Sequence, residues 1–515
     1  MIVVKINILQ FEYDIHSLVK AFYPEADIKV VLFEESSSFT SEGSTFEIYF
    51  SDHEIVMKAQ NVNEKTDEDA IHRGDQHEGY GNKKNEEHVE QCIGKSLERR
   101  VTLTEPENRP MVKNQLKQLI YQTLSKFTGK ELPWGTLTGI RPTKIPMTLL
   151  EEGKTDQEIM EYMQDTYFIS DEKGHLSLDI ARRERNLLSN IHYKDGYSLY
   201  IGIPFCPTTC LYCSFTSYPI CSWKKRVDEY LDAVEKEIDF VADIYRDKIL
   251  DSVYIGGGTP TTLEAEQFDR LLGKINSSFD FKEVKEYTVE AGRADSITRE
   301  KLQALKRNGV TRISVNPQTM KDETLKLIGR QHTVAQAVEA FHMAREEGFT
   351  NINMDLILGL PGEDEEDVKH TVAAVKELKP DSLTVHSLAI KRASRLHQWI
   401  QEHGITTLKN TDTTMEIAAQ GAADMGMVPY YLYRQKNMSG NFENVGYATE
   451  GNFGIYNILM MEEMQSIVAL GAGSVSKLVL GDGRIERTDN VKDVGLYIEK
   501  IDEMINRKRK LFSVK

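Results

Sequence analysis

Cysteine is scarce in this chain, with five in 515 residues, and three of the five fall within eight positions. So uneven a distribution is not the paired framework of a small secreted domain, and a reducing, cytoplasmic setting is expected. Basic residues are in deficit: 63 Lys and Arg stand against 80 Asp and Glu, a formal net charge of −17. No nucleic-acid partner is expected, because a phosphate backbone would be repelled, although a local basic pocket for a small anion survives such a balance. Long apolar runs are also missing. The N-terminal MIVVKINILQFEYDIH carries Lys5, Glu12 and Asp14 and does not read as a signal peptide. The most apolar later stretch, Asn457 to Gly481, is broken by Glu462, Glu463 and glycines, so no membrane span is expected.

What the chain does have is a change of pattern along its length. Residues 1–108 read as a small α/β module with strand-like runs MIVVKINIL and FEIYF. From about 60 to 91 the composition turns polar and charged and cannot bury enough apolar surface to offset ordering entropy; a disordered insertion is expected there. His88 and Cys92 have a metal-binding spacing if helical, but with His72 and His77 they read better as residues of a solvated tether. Residues 109–190 are helical in pattern: MVKNQLKQLIYQTLSKF carries apolar residues three and four apart, ahead of the turn-rich LPWGTLTGIRPTK.

Residues 191–395 alternate six apolar runs with amphipathic helical stretches. The runs are SLYIGIPF, SVYIGGGT, EYTVEA, TRISVNPQ, NINMDLILGL and SLTVHSLAI. This alternation predicts an α/β fold with a parallel sheet and right-handed crossovers. No Gly-x-Gly-x-x-Gly opens the first helix, which counts against a dinucleotide-binding fold. Six units suit a partial (β/α)6 TIM-like barrel, whose chemistry sits at the C-terminal strand ends. Polar motifs fall there: the cysteines after run one, Gly256 to Thr261 after run two, Glu290, Gln318, and Ala389 to Arg392, with Asp355 inside run five. Residues 396–515 are expected to form an α-rich, substrate-side subdomain.

Cys206, Cys210 and Cys213 stand as C-x3-C-x2-C in IPFCPTTCLYCSF. Three thiolates on one loop suit three corners of a cubane 4Fe–4S cluster with one iron left open. A zinc or closed structural site completed by Cys221 is the other reading. The open-iron reading is favoured, because Tyr212 precedes the last cysteine and the loop leaves a barrel-type strand.

C-x3-C-x-aromatic-C followed by GGGTPT resembles the radical S-adenosylmethionine (SAM) superfamily, and more narrowly the oxygen-independent coproporphyrinogen III oxidases, or dehydrogenases. The resemblance covers Tyr200 to about Lys477, and WGTLTGIRPTK, YYLYRQKNM and LGAGSVSK are similar to the long-N-terminus bacterial branch. It implies that Cys206, Cys210 and Cys213 hold the cluster and that SAM chelates the open iron. One electron then splits SAM into methionine and a 5′-deoxyadenosyl radical. It implies Gly257, Gly258 and Thr259 beside the methionine amino group, where a Cβ would clash. Arg330 would grip the carboxylate as a planar fork. Gln318 and Asp355 would take the ribose hydroxyls, and Tyr212 with the Ala389 backbone would flank the adenine. Tyr200, Gly257 and Glu290 match positions that serve a second SAM in this subgroup. Plainer readings stand beside these: a glycine turn, a solvated arginine, a structural ion pair for Glu290 and a core tyrosine for Tyr200.

The implied reaction takes a hydrogen from the β-carbon of two propionates of coproporphyrinogen III in turn. Each then loses CO2 and a further electron, giving protoporphyrinogen IX. A reduced flavodoxin- or ferredoxin-type donor is implied, and a monomer is favoured. A tetracarboxylate needs cations, and Arg141, Lys391, Arg392, Arg434 and Lys436 are the candidates, Lys391-Arg392 foremost. The chain departs from the best-known members at Phe215, where they carry a further cysteine. Haem chaperones and haem-degrading radical relatives share that departure. A haem carrier, or another radical enzyme acting on tetrapyrroles by methyl transfer with ring opening, therefore stays open; the roughly 200 residues before the cysteine loop count against the carrier. Cys206→Ala, Cys210→Ala and Cys213→Ala are each expected to abolish reductive SAM cleavage, followed as 5′-deoxyadenosine. Cys221→Ala and Cys92→Ala should keep the cluster; loss of iron in either would contradict this ligand set.

Overall fold

The structure, a computed structural model, describes residues 1–24, 26–38, 43–61, 96–215, 217–391, 394–404, 408–435, 442–481 and 483–513. His72, His77, His88 and Cys92, with nearly all of the insertion expected over 60–91, lie outside the described residues. Packing groups the rest into two compact units, Met1–Thr138 with Thr155–His175, and Gly139–Lys154 with Leu176–Lys515. That division cuts across the boundaries expected at 108, 190 and 395.

In the first unit β1 (Ile2–Ile6), β2 (Ile28–Leu32), β3 (Ser44–Phe50), β4 (Glu54–Asn61) and β5 (Leu97–Thr102) form one sheet in the order β2-β1-β3-β4-β5. β1 runs parallel to β2 and β3, whereas β3, β4 and β5 form an antiparallel meander. Alternation in β3 sends Phe46, Ile48 and Phe50 into a core shared with the helices Glu12–Phe22 and Arg109–Thr128. The intervening residues face water, where Lys5–Glu47 and Lys58–Glu98 form ion pairs. The helix Arg109–Thr128 starts on the Asn108 side chain and stops at Gly129, whose φ of 69° any Cβ would strain.

The second unit carries β6 (Gly196–Ile203), β7 (Phe205–Cys206), β8 (Tyr218–Pro219), β9 (Ile249–Gly257), β10 (Glu286–Glu290), β11 (Arg312–Ser314), β12 (Ile352–Leu358), β13 (Ser382–Ser387), β14 (Val428–Tyr433), β15 (Asn444–Ala448), β16 (Ser466–Leu470), β17 (Val475–Val479) and β18 (Ile485–Asp489). The six expected strands are β6 and β9 to β13, adjacent and parallel in chain order, as a partial (β/α)6 barrel requires. The C-terminal region holds helices, as expected, but its strands also extend the sheet at both edges. β15 and β14 add antiparallel beside β13; β16 adds parallel beside β6 and leads into β17 and β18. Outward-facing Leu199, Ile201, Val253, Ile255, Val289 and Ile313 are fully buried. Each contributes about 1.5–3 kcal/mol of transfer free energy. Among the described residues no helix is long and apolar enough to cross a membrane.

A buried charge ties the last helix, Ile501–Phe512, to this unit. Glu237 accepts from Lys508 Nζ at 2.7 Å, Tyr497 Oη at 2.5 Å, Asn490 Nδ2 at 3.0 Å and the Gly471 amide at 2.8 Å. Both charged side chains are almost wholly excluded from water. Lys508→Ala would leave the Glu237 carboxylate uncompensated, a loss of about 3–5 kcal/mol. An earlier urea midpoint is the expected outcome, and an unchanged one would contradict it.

Candidate functional site

Along the barrel strands the inward-facing positions are polar at a period of two. Thr288 and Glu290 stand on β10, Ser314, Asn316 and Gln318 on β11 and beyond its end, Asn353 and Asp355 on β12, and Thr384 and His386 on β13. They line one cavity of about 530 Å³ at the C-terminal strand ends. The same cavity collects Cys206, Cys210 and Cys213 with Tyr200, Tyr212, Gly257, Gly258, Thr259, Arg330, Ala389 and Lys391.

The cysteine loop lies between the two-residue strands β7 and β8, which pair in parallel. It is held mostly by its main chain. The Arg293 guanidinium donates to Thr208 O at 3.1 Å and to Thr208 Oγ1 at 2.8 Å while clasping Asp295 at 2.6 and 3.0 Å. Thr208 Oγ1 donates in turn to Gly329 O at 2.9 Å, and the Leu211 amide to Ile328 O at 2.9 Å. Arg395, at the start of the helix Arg395–His403, donates to Thr209 O, and the Leu396 amide donates to Leu211 O at 2.9 Å. Cys210 is buried, Cys206 and Cys213 half-buried. Burial pushes the Cys206 and Cys213 thiols up; the Thr259 hydroxyl, 3.5 Å from Cys206 Sγ, and the charges of Arg293, Lys391 and Arg330 work the other way.

The glycine turn after β9 locks onto the stem of this loop. The Gly258 amide donates to Ile203 O at 2.8 Å and the Thr259 amide to Phe205 O at 2.7 Å. A Cβ on Gly258 would fall 2.6 Å from Phe205 O, and Gly257 holds a φ of 108°. Only glycine fits both positions.

Arg330 is buried, with Nη1 on Gly292 O and Asn316 O at 2.9 and 2.8 Å and Nη2 on Tyr212 Oη at 3.2 Å. Its Nε has no partner among the described residues, nor have Ser314 Oγ, Asn316 Oδ1 and Gln318 Oε1. Gln318 sits at a φ of 70°, pinned by its amide on Asp355 O and its carbonyl on the Ile357 amide, both at 3.0 Å. Such backbone costs about 1–3 kcal/mol and is held where the surroundings over-determine it. Burial alone would raise Asp355, but His386, with Nε2 3.8 Å away, and Asn353 Nδ2 at 2.7 Å outweigh it and keep the carboxyl below its usual range. Glu290 goes the opposite way: burial, with the charge of Asp355, pushes it up to about 7 against a 2.6 Å hydrogen bond from Tyr254.

A partial parallel barrel with a three-cysteine loop and a glycine turn at its strand ends defines a radical SAM protein, and the radical SAM superfamily profile matches residues 200–375. The chain is 41% identical over 413 residues to the Bacillus subtilis "oxygen-independent coproporphyrinogen-III oxidase-like protein HemZ", covering 79% of this chain and 82% of that one. It is 38% identical over 206 residues to the "Heme chaperone HemW" of the same organism, covering 40% of this chain and 54% of that one. With the "oxygen-independent coproporphyrinogen III oxidase" of Salmonella typhimurium it shares 27% identity over 323 residues, 60% of this chain and 66% of that one. Within the superfamily, the chain belongs to the oxygen-independent coproporphyrinogen-III oxidase-like family.

That membership implies a 4Fe–4S cluster and SAM. The residues fit both. With Thr288 Oγ1, five buried polar atoms of the residues lining one cavity have no partner among the described residues, as an absent polar ligand would leave them. Among the described residues no three His, Cys, Asp or Glu side chains gather around a single metal ion. A cubane asks for something else, one thiolate on each of separate irons.

Two expected substrate cations are placed elsewhere. Arg141 donates to Glu463 Oε2 at 2.7 Å and Met461 O at 3.2 Å and does not line the cavity, because its charge is already spent on a carboxylate. Arg434 is buried off the cavity lining, and burial pulls it down to about 10. Arg392 and Lys436 lie outside the described residues. Missed from the sequence were Arg293, Ser314, Asn316 and His386; the period-two polarity of GRAD, TRISVNPQ and SLTVHSL was the available signal. Since the Glu290 carboxylate forms as pH rises through about 7, affinity for cationic SAM is expected to strengthen across that range and Glu290→Gln to flatten it. Equilibrium binding across pH checks this, and a flat wild-type profile would contradict it.

Proposed function

We propose that this chain decarboxylates two propionates of coproporphyrinogen III to vinyl groups, giving protoporphyrinogen IX. When bound, the cluster and SAM supply the carbon radical that removes hydrogen from a propionate β-carbon. In this reading Cys206, Cys210 and Cys213 hold the cluster. Arg330 takes the SAM carboxylate, and Gln318 and Asp355 the ribose hydroxyls. Gly257, Gly258 and Thr259 admit the amino group, Tyr212 and the Ala389 backbone flank the adenine, and Tyr200 and Glu290 serve a second SAM. Electrons come from a reduced flavodoxin- or ferredoxin-type donor in the cytoplasm.

The observation that carries the reading is a cavity joining this polar set to an apolar wall. Tyr456, Met460 and Met461 line it, with the Tyr254 and Tyr456 rings stacked 4.4 Å apart. Aromatic and thioether surfaces suit a flat macrocycle. Lys391 Nζ lies 5.3 Å from the ring of exposed Phe215, which supports Lys391 as a partner for a propionate. A haem carrier is the second reading, supported by Phe215 and by the likeness to a haem chaperone. Anaerobically reconstituted protein with SAM, a reductant and coproporphyrinogen III is expected to yield divinyl product and two CO2 per macrocycle. Haem bound stoichiometrically without any vinyl product would overturn the enzyme in favour of the carrier.

A further inference from the structure

Three segments, GIRPTK, YYLYRQ and LGAGSVSK, meet at the end of one helix, and of their residues only Tyr431, Tyr433 and Gln435 line the cavity. The helix Ile455–Glu462 supplies Tyr456, Asn457, Met460 and Met461 to the cavity lining. It stops at Glu463, in the left-handed region at a φ of 50°. The Glu463 carboxylate takes Arg141 Nη2 at 2.7 Å, Arg487 Nη2 at 2.8 Å and Lys477 Nζ at 3.4 Å. Two of these cations also reach the main chain: Arg141 Nη1 donates to Met461 O at 3.2 Å and Lys477 Nζ to Met460 O at 3.3 Å. Last-turn carbonyls lack donors within a helix, and cations are favoured there by its dipole. Thr143 Oγ1 donates to Glu462 Oε1 at 2.9 Å, and the Arg434 amide donates to Ile140 O at 2.8 Å, closing the knot.

The capped carbonyls belong to the two methionines whose side chains line the cavity. We propose that Arg141, Lys477 and Glu463 are positioning residues for the substrate wall: they fix the last turn of this helix and thereby where Met460 and Met461 meet the macrocycle. None of the three lines the cavity, so each acts through the helix. The proposal rests on the tetrapyrrole reading for what the wall receives, but not for how the wall is held.

The test compares wild type, Arg141→Met, Arg141→Lys and Lys477→Met as reconstituted full-length protein. Iron content and SAM cleavage without substrate report the cluster side. Coproporphyrin titration reports the wall, and peroxide oxidation of Met460 and Met461, read by mass spectrometry, reports its order without any tetrapyrrole. Arg141→Met and Lys477→Met are expected to weaken coproporphyrin binding about tenfold to a hundredfold, the scale of a small misplacement. Both methionines should oxidise faster, iron and SAM cleavage should hold, and Arg141→Lys should recover most of the affinity. Unchanged affinity and oxidation would overturn the proposal, as would a parallel loss of iron and SAM cleavage, which marks a knot that merely holds the fold. If wild type takes no coproporphyrin, the tetrapyrrole reading fails instead, and the oxidation rates alone decide the positioning role.

Discussion

Polar side chains point into a parallel barrel that apolar ones would ordinarily fill, and the organisation of the second unit follows from having to satisfy them. Some are satisfied inside the protein: Arg312 donates to Asn351, Asn452 and Ser382, and Asn353 bridges Thr384 to Asp355. Ser314, Asn316, Gln318 and the Arg330 Nε are not. A buried polar group without a partner costs about 1–3 kcal/mol. Those four and Thr288 Oγ1, gathered in one cavity, mean that a ligand matching them stabilises the fold as it binds, so occupancy and stability are linked.

Against that open interior, the cysteine loop is over-determined. Arg293 just beyond β10, Ile328, and Arg395 with Leu396 at the start of the helix Arg395–His403 hold it by hydrogen bonds, and the glycine turn clamps its stem. Its backbone is therefore held at several points by protein contacts. The polar lining distributes charge unequally around it, with Asp355 kept ionised and Glu290 poised near neutrality by burial and by its neighbour. Two carboxylates in one cavity acquire different characters from surroundings alone.

The six barrel strands were legible because each is an apolar run between amphipathic helices, and the strand-end motifs placed the cavity. The sequence reading did not extract the inward polarity of TRISVNPQ, since parallel strands are expected to be apolar on both faces. Nor could it see β16 joining β6, a pairing of Tyr197 with Ser466 that no local pattern encodes. Nor does any local pattern show where Arg141 goes: its partner lies 322 positions along the chain, and a charge in isolation looks available. The expected need for glycine at 258 has a reason inside the protein, a close approach to Phe205 and Ile203 that no local pattern announces.

Four of the six contacts that hold the cysteine loop meet its backbone, at Thr208, Thr209 and Leu211, and the other two pass through the Thr208 hydroxyl. A main-chain oxygen is present whatever residue stands there. The loop's shape can therefore be inherited while its intervening residues drift, and only the cysteines, Thr208 and the distant donors are bound to stay. Diversification of such proteins can run through the spacer positions of the loop, altering what its surface presents to a ligand or a redox partner without disturbing the geometry beneath.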